Sequence, residues 1–487
     1  MTVSLETGLL LGGGLAMAGG VVSLFSRKVA IPSLVLFLVL GMMVGPDGLA
    51  WVPRVHPEWA HGMGTIALLV ILFSGGLDTK WGDVKGVGLP AGLLATVGVV
   101  ITMGCMAVGG VWALKMSWAE GLLMGAILAS TDAAAVFGVL RSARIGFKAP
   151  IRSLLELESG SNDPMAIFLT MMLIQWLTGN NEMSWQGGVM AWVQAMGVGG
   201  LVGLLAGQGM GWFLKRWHGT YDATIPILMA GLIGLGYGIS TWCGGSGFLA
   251  VYVAGIRLAK EPFAKKQFVT RFFDGLAWAM QWAVFMTLGL MVIPGTLWAL
   301  TPVGLALTMG LMWVVRPLAV WACLTWFRIP WRMMGMVSWG GLKGAAPIVL
   351  ATFPYMAGLS NAPLLFHIVF FVVLASVVIQ GSSIRQVAIW LGVDRPMVGR
   401  ANLPLEMDTG HEMAVSLTEI EISYESGWVG QRIAAIGLPK DCLVVMSCRN
   451  GKWSLPSAQT PIEGGDLWVM LCKREDLEQV MQQGGMG

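Results

Sequence analysis

Residues 158–168 read Glu158-Ser159-Gly160-Ser161-Asn162-Asp163-Pro164-Met165-Ala166-Ile167-Phe168, "ESGSNDPMAIF", and continue into a mostly apolar run through Leu177. Two carboxylates, an amide and two hydroxyls stand at the head of a segment suited to a bilayer. If the segment spans, that polarity needs partners or a task, and the surrounding chain decides whether it spans.

The surroundings are greasy. Of 487 residues 55% are hydrophobic and only 12% are charged, and the mean hydropathy is +0.71. This is the balance of a polytopic membrane protein rather than a soluble enzyme. Apolar segments suited to a bilayer core, which takes roughly 17–25 residues per helix, occur at 3–25, 29–45, 62–77, 87–114, 118–140, 154–178, 187–214, 223–241, 244–258, 272–293, 296–326, 333–354 and 362–384. They predict an all-α domain of about thirteen transmembrane helices. The first segment has no basic residue before it, carries Glu6 and is followed by Arg27-Lys28, so it reads as a retained helix and not a cleaved signal.

Basic residues in short loops stay on the cytoplasmic side. Alternate loops hold Arg27, Lys28, Lys80, Lys85, Arg141, Arg144, Lys148, Arg152, Lys215, Arg216, Arg257, Lys260, Lys265, Lys266, Arg271, Arg328 and Arg332, whereas the others hold only Arg54 and Lys115. Seventeen against two is the asymmetry expected of thirteen spans in the cell (inner) membrane, with the N-terminus outside and the tail in the cytoplasm. The net charge of +3 follows from this orientation and points to no nucleic-acid partner. Six cysteines with no C-x-x-C pair, and few histidines, suggest free thiols rather than a metal site.

The texture changes near residue 400. "MAVSLTEIEISY" (413–424) alternates as a half-buried strand does, Asn450-Gly451 between β-rich runs signals a hairpin, "EGGDLWVMLC" (463–472) reads as another strand, and 474–482 as a closing helix. The division expected is a transmembrane domain over 1–390, a linker over 391–404 and a small α+β domain over 405–487. Residues 426–471 resemble the RCK-C (TrkA-C) ligand-binding module of potassium channels and transporters. That resemblance implies a small-molecule ligand at the C-terminal domain. A β-rich domain that only stabilises a dimer is the alternative. No G-x-G-x-x-G follows a strand in the tail, so NAD control is not expected.

A charge in the middle of a spanning helix costs about 2.5–3.5 kcal/mol on insertion scales, which makes each one a candidate for function. Asp132 interrupts the fifth span, Glu158 and Asp163 open the sixth, Arg316 lies deep in the eleventh and Lys343 midway through the twelfth. On a helix Ser159, Asn162 and Asp163 share one face, with Glu158 on its edge. Pro164 has no N–H for the carbonyl of Gly160, so a break exposing that oxygen beside the carboxylate is expected. Oxygens gathered this way, with a desolvated carboxylate, suit either a monovalent cation or a proton. The alternative makes Arg316 and Lys343 mere neutralisers that hold helices together.

"ILASTDAAAVF" (127–137) and "SWGGLKGAAPIVLA" (338–351) carry polar or glycine-rich interruptions seven spans apart. An odd offset inverts topology, so spans 1–6 and 8–13 form candidate inverted repeats, and matched broken helices point to a midplane transport site.

These motifs, "ESGSNDP" with "STD" one span earlier and "GGLKG" near the end, resemble the NhaP/NHE-type monovalent cation:proton antiporters, and the whole chain is similar to bacterial cell-volume-regulation potassium/proton antiporters that share the tail. The resemblance implies alternating access by a non-enzymatic carrier with no cofactor, its substrates a monovalent cation and a proton. It implies that Asp163 and Asp132 are the core carboxylates, with Thr131 and Ser159 adding cation oxygens. Asn162 stands where charge-moving relatives have aspartate, which implies electroneutral one-for-one exchange. Glu158 is implied to pair with Arg316 as a structural ion pair. Two departures, Ser74 where relatives often have an acid and Lys343 where they often have arginine, mark these residues as modulators. A homodimer is implied too. Potassium is the expected cation and sodium the alternative. A channel is the main competing class, since "ATVGVV" (95–100) superficially looks like a filter, and a membrane sensor is a third.

Overall fold

The computed structural model describes residues 5–29, 32–53, 55–79, 81–142, 145–147, 149–179, 185–216, 224–261, 263, 266–396, 415–422, 426–439, 442–449, 452–473, 476 and 480. The chain divides into two compact units, Met1–Arg395 and Pro396–Gly487.

The first unit is helical. Its first half contains α1 (Leu5–Val29), α2 (Ser33–Val44), α3 (Pro57–Asp78), α4 (Trp81–Leu93), α5 (Val99–Leu114), α6 (Trp118–Ala129), α7 (Ala133–Ser142), a three-residue strand β1 (Ile145–Phe147) and α8 (Ala149–Leu177). There follow α9 (Trp185–Arg216), α10 (Thr224–Trp242), α11 (Gly247–Ala259), α12 (Lys266–Met291), α13 (Pro294–Gly310), α14 (Arg316–Leu324), α15 (Trp331–Trp339), α16 (Ala345–Leu350), α17 (Phe353–Met356) and α18 (Ala362–Leu391), then strand β2 (Asp394–Pro396). Several exposed tryptophans lie at helix ends: Trp59 near the start of α3, Trp112 near the end of α5, Trp118 at the start of α6, Trp242 at the end of α10 and Trp390 at the end of α18. Indole rings favour the headgroup level, so the exposed apolar faces between these ends are lipid-facing.

Six helices are long and apolar enough to cross a membrane, and the pair Trp118–Ala129 with Ala133–Leu140, bent by 41°, makes a seventh. Helix covers part of every expected segment, but pieces such as Ser33–Val44, Gly247–Ala259 and Ala345–Met356 are too short to qualify alone. Length and apolarity alone therefore identify six or seven of the expected crossings among the described residues.

Pro164 does not break its helix: α8 runs without interruption from Ala149 to Leu177. One lost hydrogen bond is tolerated in a helix packed along its length, and α8 lies against both α4 and α6. Residues 95–100 form no filter loop either. Leu94–Gly98 is a single π-helical turn inside a continuous helix over 86–114. A second π turn, Leu311–Val315, immediately precedes Arg316. Each π turn inserts a residue into the helix and so resets the face presented afterwards.

Close helix contacts are made through small residues, as packing within lipid requires. Gly199, Gly203 and Gly207, one turn apart on α9, lie against Ser246 at the N-cap of α11 and against Ala250 and Ala254 within it. All six residues of α16 are buried.

The second unit contains a four-stranded sheet in the order β3 (Val415–Glu421), β6 (Leu467–Lys473), β4 (Leu443–Arg449), β5 (Lys452–Ser454). Trp468 is fully buried and stacks on Trp428, with ring centroids 6.2 Å apart. Arg449 grips Asp466 through two bonds, Nε to Oδ1 at 2.8 Å and Nη2 to Oδ2 at 2.7 Å. The expected strands fall on β3, β4 and β6, whereas the Asn450-Gly451 turn, most of the expected closing helix and residues 397–404 of the expected linker lie outside the described residues.

Candidate functional site

Among the described residues the chain leaves helical geometry at Ser130–Asp132, between α6 and α7, and at Gly340–Gly344, between α15 and α16. Bare backbone in hydrocarbon is costly, so each break needs partners.

At the first break α8 supplies them. Ser159 Oγ donates to the Thr131 carbonyl (2.8 Å) and accepts from the Ala133 N–H (3.1 Å). Asn162 Nδ2 donates to Thr131 Oγ1 (2.6 Å), and Asn162 Oδ1 accepts from the Thr131 N–H (3.4 Å). Ser130 Oγ donates to Asp163 Oδ1. Asp132 Oδ1 accepts from the Ala135 N–H (3.0 Å), which places a carboxylate on the positive end of α7.

At the second break α18 does the same work. Gln380 Nε2 donates to the Trp339 carbonyl (3.0 Å), Ser376 Oγ donates to Gln380 Oε1 (2.6 Å) and Ser376 Oγ accepts from the Lys343 N–H (3.4 Å).

The two breaks touch. The Asp132 N–H donates to the Leu342 carbonyl (2.7 Å), and Lys343 Nζ donates to the Ser130 carbonyl (2.9 Å), with that of Ala129 at 3.5 Å. A buried lysine, 2% exposed, thus sits on the negative end of α6. Gly344 leaves no room for a Cβ because the Asp132 side chain fills that space. Asp163 lies within electrostatic reach of both Asp132 and Lys343.

One layer away, Glu158 Oε1 meets Arg316 Nη1 at 2.6 Å, the side chains 1% and 5% exposed. Arg316 Nη2 also reaches the Val337 carbonyl (3.5 Å), and its Nε occupies the space a Cβ on Gly341 would need. The pair ties α8 to α14 and to the second break.

Asp163, Asp132, Thr131, Ser159, Asn162, Glu158, Arg316 and Lys343 are therefore brought together in one region. Ser74 is bonded elsewhere: its Oγ donates to Asp274 Oδ1 (2.7 Å), joining α3 to α12. Sequence reasoning missed Asp274, although it is an acid inside the expected span 272–293. It also left Ser130 out of the site, and overlooked Ser376 and Gln380, a polar pair at helical spacing in the most apolar helix.

The profile of the transmembrane sodium/hydrogen exchangers matches residues 14–390, and that of the TrkA-C domain matches residues 417–483. The chain belongs to the sodium/hydrogen exchanger family. It is a multi-pass membrane protein and a monovalent cation:proton antiporter. Among curated relatives of this exchanger, the K(+)/H(+) antiporter NhaP of Alkalimonas amylolytica is 35% identical over 97% of this chain and 82% of its own length. The K(+)/H(+) antiporter NhaP2 of Shewanella oneidensis is 34% identical over 98% of this chain and 83% of its own. The Na(+)/H(+) antiporter ApNhaP of Aphanothece halophytica is 26% identical over 76% of this chain and 71% of its own. The solved structure of the sodium proton antiporter MjNhaP1 from Methanocaldococcus jannaschii shares the exchanger's fold, with a TM-score of 0.70 at 22% identity over 80% of this chain and 99% of that one.

Proposed function

We propose that this antiporter exchanges one potassium ion for one proton per cycle, with Asp163 the carboxylate that holds each in turn and Asp132 its partner. The observation that carries this is the charge balance. Three carboxylates, Asp163, Asp132 and Glu158, face two cations, Arg316 and Lys343. With all of them ionised one negative charge is left over, and either a monovalent cation or a proton cancels it. Competition for one charge couples the fluxes and makes the exchange electroneutral. Asn162 fits this balance, because its amide donates to Thr131 where an aspartate would lose the donor and add a charge. Thr131 and Ser159 supply further oxygens through their unused lone pairs.

The thirteen-span topology, N-terminus outside and tail in the cytoplasm of a homodimer, belongs to the same proposal. The two touching breaks fit inverted repeats, with the elements α6–α8 and α15–α18 moving as a body in alternating access. Potassium is preferred because the relatives at 34–35% identity are named for it and the sodium antiporter stands at 26%. The tail is proposed to bind a small-molecule regulator.

The test is a pH change recorded in everted vesicles on addition of K⁺, Na⁺ or Rb⁺, repeated under an imposed membrane voltage. K⁺-driven proton movement indifferent to voltage is expected. Exchange driven by Na⁺ alone would overturn the choice of cation, and a voltage-dependent rate would overturn the stoichiometry.

A further inference from the structure

In the tail, β4 pairs antiparallel with β6, and the ladder begins at Leu443 opposite Leu471. One step further the register sets Cys442 opposite Cys472. Facing residues of an antiparallel pair have Cα atoms about 4.5–5.5 Å apart, inside the span of about 4.4–6.8 Å that a disulfide bridges. Both side chains enter the same core, Cys472 fully buried and Cys442 9% exposed, with their sulfurs 2.6 Å apart. Neither sulfur is held in a disulfide in this structure. The other tail cysteine, Cys448, stands opposite Leu467 at the far end of the ladder.

We propose that Cys442 and Cys472 form a reversible dithiol–disulfide site that reacts with low-molecular-weight disulfides of the glutathione type. The Cys442 thiolate attacks one sulfur of the small disulfide, forming a mixed disulfide and releasing one small thiolate. The Cys472 sulfur then displaces the second small thiolate, which takes up the Cys472 proton. Two protein thiols are oxidised, and one small disulfide is reduced to two small thiols. Cys442 is the attacker because it is the more exposed. Burial, with the neighbouring Cys442 sulfur adding to it, pushes the Cys472 thiol up to about 12. The new bond ties the start of β4 to the end of β6, the strand that pairs with both β3 and β4, so oxidation locks the sheet.

The test uses full-length protein in detergent equilibrated with stepped ratios of glutathione disulfide to glutathione. Samples are quenched in acid, denatured and alkylated, and the tail peptides are read by mass spectrometry. A Cys442–Cys472 linked pair that grows with the ratio, disappears on adding dithiothreitol and forms equally in Cys448→Ser is expected. Cys442 halting at a mixed disulfide with glutathione, Cys448 appearing in the linked pair, or both thiols staying alkylatable at the highest ratio would each overturn the site.

Discussion

The two broken helices face one physical problem and solve it with opposite charges. At Ser130–Asp132 the open backbone is closed by Ser159 and Asn162 from α8, and the neighbouring charges are acids. At Gly340–Gly344 it is closed by Ser376 and Gln380 from α18, and the charge within the break is Lys343. Each break lends its charge to the other's half of the site: Lys343 caps α6, and the Asp132 carboxylate lies against Gly344 while the Asp132 N–H donates to the Leu342 carbonyl. The difference teaches that the first break is the ion-bearing side and the second the counter-charge. Only the first has carboxylates beyond those its own helix ends require.

That asymmetry is open to attack, most forcefully at the acid. Asp163→Asn is expected to bring cation-driven proton movement in vesicles down to background, while Lys343→Arg, which keeps the counter-charge, retains exchange. Equal loss in both would mean the two breaks share one role. Next comes the pair that braces both. Glu158→Leu or Arg316→Leu alone leaves a buried charge and is expected to cost about 3–5 kcal/mol, with much of that recovered in the double variant. Thermal unfolding in detergent reads this. Gln380→Leu is expected to cost about 1–3 kcal/mol by stranding the Trp339 carbonyl and the Ser376 hydroxyl. Exchange per folded molecule should be largely kept, whereas Asn162→Leu at the first break should lower both. The smallest effect is expected at Ser74→Ala, which removes one hydrogen bond to the exposed Asp274, worth about 1 kcal/mol. Its readout is the cation concentration at half-maximal exchange, which should move less than with Asp274→Asn.

Much of the site was legible in the sequence because charges in apolar segments have few innocent explanations. Asp132, Glu158, Asp163, Arg316 and Lys343 stood out for that reason, and the structure gathers all five. Asp274 escaped notice because it follows Arg271 closely and looks like part of an interfacial charge cluster. Ser376 and Gln380 escaped because uncharged polar residues weigh little in a hydropathy count. Pro164 was misjudged because local chemistry names the missing hydrogen bond but not the neighbours that keep the helix continuous.

The sequence by itself determined the class of molecule, the soluble tail and the residues that carry charge into the membrane. Hydropathy, strand alternation and the expense of a buried charge are local properties that need no fold to be read. Only the tertiary structure decided which carbonyl Lys343 caps, that α8 closes one break and α18 the other, and that Ser74 answers to Asp274. Those outcomes depend on contacts between residues far apart in the chain, such as Lys343 and Ser130 at 213 positions, and no period in a sequence encodes such a meeting.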